Sequence, residues 1–126
     1  MSVQHYEFHL RRDPAEAGRA RAYVADRCSG LLPDVAMTAQ LLASELFSSA
    51  LSHGTGPITL SVARSAATLE VCLGDALGVA PSLDDLDDSD PDHRSLLNVA
   101  ALAMTWGLRP VPGGGTTVWF TLDARR

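Results

Sequence analysis

The chain has 126 residues, 46% of them hydrophobic, and a formal net charge of −5. That is enough for a single domain, residues 1–126, with its own core. The acidic balance excludes binding of nucleic acid through phosphate neutralisation, and no apolar run approaches the roughly 20 residues that cross a bilayer.

From Val3 to Leu10 the sequence alternates, with Tyr6, Phe8 and Leu10 on one side and His5, Glu7 and His9 on the other. This pattern predicts a half-buried strand. His5 and His9 would lie ~13 Å apart along it, too far to share one metal ion. Asp13-Pro14-Ala15-Glu16 opens a helix: Asp13 can cap it, Pro14 suits its first turn, and Glu16 completes a capping box. Ala17, Ala20, Val24, Cys28 and Leu31 form its apolar stripe, with Arg19 and Arg27 off it and Gly30 at the exit.

Pro33-Asp34 opens a second helix to about His53, with Val35, Ala39, Leu42, Leu46 and Ala50 as its stripe. Gly54-Thr55-Gly56-Pro57 stops it. Ile58–Val62 and Thr68–Leu73 read as paired strands. From Gly74 to about His93 no periodicity remains, and the stretch, about 76–93, is expected to be a lid or binding loop, with a solvated connector as the alternative. It carries Asp84, Asp85, Asp87, Asp88, Asp90 and Asp92, which together exceed the net charge of the chain. Leu96, Val99, Ala100, Ala103 and Trp106 form a third helical stripe ended by Gly107. Leu108–Val111 and Thr116–Leu122 are strands joined by Pro112-Gly113-Gly114-Gly115, and Trp106 and Trp119 take core positions. The order predicts an α+β fold, an α/β sandwich whose mixed, mostly antiparallel sheet is covered on one face by three helices.

Few side-chain patterns carry chemistry. Glu45 and Ser49 stand one helical turn apart on one face. A carboxylate on a helix that packs a core is costly to desolvate. The aspartate cluster lacks the glycine and glutamate of an EF-hand loop. No Gly-x-Ser-x-Gly elbow is present. The triple glycine sits between strands with no Lys-Ser/Thr behind it, so it reads as a hairpin turn. Cys28 and Cys72 have neither framework nor metal spacing and read as small buried hydrophobes of a reducing compartment. The N-terminus lacks the apolar stretch of a signal peptide, which points to the cytoplasm.

Glu45-Leu46-Phe47-Ser48-Ser49-Ala50, followed by His53-Gly54, resembles the N box of the GHKL (histidine kinase/HSP90-like) ATPase superfamily. That superfamily includes the serine kinases that act as bacterial anti-sigma factors; its N box reads Glu-x-x-x-Asn-Ala and then His-Gly. The resemblance spans nearly the whole chain, because Arg12-Asp13-Pro14, the N-box region, Asp75, Trp106-Gly107 and Thr117-Val118-Trp119 fall in the family's order. It implies the Bergerat fold, with ATP and Mg²⁺ between the N-box helix and the lid. Glu45 would be the catalytic glutamate, Ser49 would stand at the Mg²⁺ ligand, and Asp75 would recognise the adenine amino group. Gly78, Arg94, Ser95, Leu96 and Thr117 would fall at the remaining nucleotide contacts, and His53 would close the N-box helix structurally.

Several of these positions depart from the pattern. Ser49 offers a hydroxyl where Mg²⁺ expects an amide oxygen. Gly78 is displaced by one residue, His93 and Ser95 replace the two glycines of the second glycine box, and Thr116 replaces a basic residue. The resemblance therefore implies a degenerate site with absent or weak ATP/Mg²⁺ binding and a vestigial Glu45. The function it implies is regulation of bacterial transcription by a cytoplasmic homodimer that binds a sigma factor or an anti-anti-sigma protein, with no direct contact to nucleic acid or membrane. Arg11, Arg12, Arg19 and Arg27 are candidate partner contacts that otherwise read as solvated charges. The alternative is an active serine/threonine kinase acting on an anti-anti-sigma factor.

Overall fold

A computed structural model of the chain describes residues 4–52, 57–77, 89–110 and 115–124. Alternating residues make five strands: β1 (Gln4–Leu10), β2 (Ile58–Arg64), β3 (Thr68–Leu77), β4 (Thr105–Pro110) and β5 (Thr116–Asp123). Apolar residues at helical spacing make α1 (Ala17–Arg27), α2 (Pro33–Ala50) and α3 (Pro91–Leu102). The strands form one sheet in the order β1-β2-β3-β5-β4. Every neighbouring pair is antiparallel. β3 and β4 run parallel to each other across α3, but β5 returns between them. The expected mixed sheet thus has no parallel neighbours among the described strands.

The helices cover one face of the sheet. Leu10, Ile58, Leu60, Val62, Leu69, Val71, Leu73, Val118 and Phe120 meet Ala20, Val24, Ala39, Leu42, Leu46, Phe47, Leu96 and Val99 in a single core. The intervening strand residues face the other way. Ser61, Cys72, Trp119 and Gly107 lie in register across that helix-free face. Trp119 is therefore not a core residue: strand parity places it opposite Val118 and Phe120. Its indole lies over Gly107, where an added Cβ would come within 2.6 Å of Cζ2. Trp106 does pack against the core, but from β4 and not from a helix.

The third helix is shorter than its stripe suggests. It ends at Leu102, Ala100 is exposed, and Met104 N–H already donates to Thr121 C=O at 2.8 Å. Residues 99, 103 and 106 fit a helical period, yet β-branched Thr105 and aromatic Trp106 favour a strand. Pairing with β5 decides the contest, and Gly107 becomes a mid-strand residue. In the other direction, β3 extends four residues beyond Leu73. The lid expected at 76–93 thereby loses both ends to regular structure; its middle, 78–88, lies outside the described residues.

The start of α1 also differs. Asp13 Oδ1 accepts from Ala15 N–H at 2.9 Å as a cap, ahead of a 3-10 turn at Pro14–Glu16. Glu16 does not return to the cap. It is buried and accepts from Arg19 Nη1 at 2.7 and 3.0 Å, from Arg11 Nη2 at 3.2 Å and from Arg11 N–H at 3.2 Å. The Arg19 hydrogen bonds outweigh burial and hold the Glu16 carboxyl below its usual value of 4.5. A carboxylate whose pKa is depressed by folding contributes stability above its unfolded pKa and loses it as pH falls through the folded one. The melting temperature of the wild-type protein should therefore fall more steeply on acidification below pH 4.5 than that of Glu16→Gln. Parallel slopes for the two proteins would contradict this assignment.

Candidate functional site

The α2 stripe that enters the core leaves a second side of the helix free. Ser44, Glu45, Ser48 and Ser49 lie there and, with Ser52 in the turn just after the helix, face Arg94, Ser95 and Asn98 of α3 across a cavity of about 350 Å³. Asn98 Nδ2 donates to Glu45 Oε2 at 2.8 Å. The hydroxyls of Ser49 and Ser95, both buried, lie 3.0 Å apart. These two contacts fix the helices as antiparallel neighbours, since the later residue of α2 meets the earlier residue of α3. Glu45, Ser49, Arg94 and Ser95 thus line one cavity.

Asp75 stands at a different place. The β3–β5 register shifts between Leu73 and Leu77, and Asp75 has a left-handed backbone, φ 62°. Aspartate tolerates this region better than most residues, and such outliers gather where a fold re-aims a side chain. Here the carboxylate meets Arg12, whose Nη2 donates to Oδ2 at 2.5 Å. Arg12 Nη1 donates to the Ala50 carbonyl at the end of α2, where a cation complements the helix dipole. The other carboxylate oxygen packs directly on the Gly115 backbone, leaving no room there for a Cβ. Arg12 is only 12% exposed; it is an internal clamp and not a surface charge.

The remaining candidates disperse. Leu96 is in the core. Thr117 faces the helix-free side beside Thr59 and Gly74, whereas Thr116 turns inward and is buried. His53, Gly54, Gly78, Asp84, Asp85, Asp87, Asp88, Gly113 and Gly114 lie outside the described residues. Asp90 is exposed, 3.9 Å from His93 Nε2. The arginines of α1 are not simply solvated either. Arg19 lies 4.8 Å over the Phe8 ring, and Arg27 lies 4.3 Å over Tyr6 and 4.8 Å over Tyr23. Such cation–π contacts hold each guanidinium against the aromatic side of β1. Arg11 remains exposed beside Glu16.

Sequence reasoning missed Asn98 and the serines at 44, 48 and 52. Their signal was present. Ser44 and Ser48 lie four apart on α2, with Ser52 four further on in the turn after it, and Asn98 follows Ser95 by three on α3, both spacings that keep helical side chains on one face. The pairing of Arg12 with Asp75 gave no local signal, because 63 positions of sequence separate the two.

The cavity by itself offers a magnesium ion one carboxylate, which accepts from Asn98, among hydroxyls; the other oxygens of an octahedral shell would have to come from water and phosphate. No group of three or more His, Cys, Asp or Glu is placed to hold a metal among the described residues. Asp75, the residue assigned to adenine, pairs with Arg12 through Oδ2 and keeps 30% of its side chain exposed. Burial raises the Cys28 pKa and pushes that of half-buried Cys72 to about 11, away from the thiolate form that reacts.

No protein-family model matches the chain, and no curated protein matches it either. What fold and site define by themselves is an α+β sandwich with a serine-lined cavity between two antiparallel helices. No helix among its described residues is long and apolar enough to cross a membrane.

Proposed function

We propose that this chain is a regulatory protein of the GHKL type that works by binding other proteins and has lost nucleotide chemistry. One observation carries the reading: the Arg12–Asp75 ion pair. The carboxylate that the resemblance assigns to adenine is held by a largely, though not fully, buried guanidinium. Displacing that guanidinium would strand a charge that is only 12% exposed, an expensive exchange for a neutral base. The Glu45–Asn98 and Ser49–Ser95 contacts support the same reading, because they engage the two groups assigned to catalysis and metal. A sigma factor or an anti-anti-sigma protein is the partner class, and a homodimer the working form, that the resemblance supplies.

The second reading, phosphoryl transfer to an anti-anti-sigma factor, draws on the cavity that still holds Glu45 and Arg94. Thermal melting separates the two. A ligand at a hundred times its dissociation constant stabilises the folded state by about 2.7 kcal/mol, which for a domain of this size raises the melting temperature by roughly 10 °C. The regulatory reading expects no shift with millimolar Mg·ATP. A shift of that size would favour the kinase.

A further inference from the structure

The same side of α2 continues toward its N-terminus with different chemistry. Asp34, Met37, Thr38 and Leu41 follow the helical period there and, with Leu102 at the end of α3, line an apolar hollow of about 460 Å³. Because α2 and α3 are antiparallel, this hollow and the serine-lined cavity lie end to end along one seam. Met37 is 67% exposed, Leu41 50% and Leu102 49%. Leu32, just before α2, and Met104, just after α3, are the only other large hydrophobics left exposed among the described residues. Apolar side chains concentrated at one place and rimmed by polar groups mark an interaction surface.

Charge says what would cover it. Asp34 and Glu45 stand at the two ends of the apolar stretch, about 16 Å apart along α2. Neither forms an ion pair among the described residues, although Glu45 accepts from Asn98 and shares its cavity with Arg94, so Asp34 is the more open of the two. A furrow between two helices has the width of a third, and methionine and leucine anchors adapt to a helical guest. We propose that the α2–α3 seam is a docking groove for an amphipathic helix of a partner protein, presenting aliphatic residues on one face and lysine or arginine toward Asp34 and Glu45. No helix among the described residues of a second copy supplies such a face. Its own seam would set acid against acid, and α1 buries its apolar stripe while Arg19 and Arg27 are held by Glu16 and the β1 aromatics.

This inference rests on the partner-binding reading and names the partner's chemistry. The test uses a fluorescein-labelled 18-residue leucine/lysine peptide with helical amphipathic spacing. A scrambled peptide of identical composition and a leucine/glutamate peptide serve as controls, and binding is read by anisotropy at low salt. The amphipathic basic peptide should bind at least about tenfold more tightly than either control. Met37→Glu with Leu41→Glu, at exposed positions, should abolish that difference. Methyl NMR of the unmodified protein gives a readout that needs no variant: the Met37 signal should shift with the basic helical peptide and not with the scrambled one. Equal binding of all three peptides, undiminished binding by the folded double variant, or an unmoved Met37 signal would overturn the proposal. So would conversion of a dimer to a monomer by the double variant, which would assign the seam to self-association. Micromolar ATP binding would overturn the partner-binding reading whatever the peptides do. Failure of the peptides without ATP binding removes only this groove.

Discussion

Arg12→Ala should lower the unfolding free energy by about 3 kcal/mol, the loss expected when one member of a largely buried ion pair is removed. The guanidinium ties three pieces of chain together: its own turn after β1, the C-terminal carbonyl of Ala50 and the irregular segment of β3 at Asp75. Its removal leaves a carboxylate and a helix-end carbonyl without their donor, and Asp75 keeps its unfavourable φ of 62° with nothing to hold it. Arg12→Lys should recover only part of the loss, since an ammonium cannot reach both acceptors with a planar fork. Denaturant titration checks this through a lowered midpoint at unchanged slope. A loss under about 0.5 kcal/mol would place the pair among surface salt bridges and contradict the clamp.

Gly115→Ala should cost a further roughly 2–3 kcal/mol, from two sources acting together. The residue sits at φ 82°, where an alanine is strained, and its Cβ would collide with Asp75 Oδ1. The carboxylate must then move away from Arg12. Because both substitutions break the same contact, their effects in the double variant should fall short of the sum. Strict additivity would mean that Gly115 matters for its backbone alone and that Asp75 does not couple it to Arg12.

Much of this was legible in the sequence, and its boundaries show why the rest was not. Element order and the core stripes of α1 and α2 followed from periodicity, because Ala20, Val24, Leu42 and Leu46 have no reading other than a buried helix face. Trp106 failed because its spacing from Val99 and Ala103 satisfies a helix, while pairing with Phe120, a long-range event, makes it a strand residue. Trp119 failed because hydrophobicity alone does not say which face of a strand is covered. At the site, Glu45 and Ser49 were legible as one face of one helix. Their partners Asn98 and Ser95 required knowing that α3 packs antiparallel on α2. Arg12 meets Asp75 across 63 positions of sequence, and no local pattern encodes such a contact. Glu16 was read as a cap because the capping box is a local motif; its burial under Arg19 is tertiary.

The central claim is that the groups resembling a nucleotide site are engaged with one another and that the protein acts by binding. Isothermal titration of the purified wild-type chain with ATP, with and without Mg²⁺, tests it most directly. The account predicts no saturable heat at micromolar nucleotide, and the same flat trace with and without the metal. A saturable, Mg²⁺-dependent isotherm with a micromolar dissociation constant would contradict it, because such an isotherm requires Arg12 to release Asp75 and a metal to find ligands at Ser49 and Glu45.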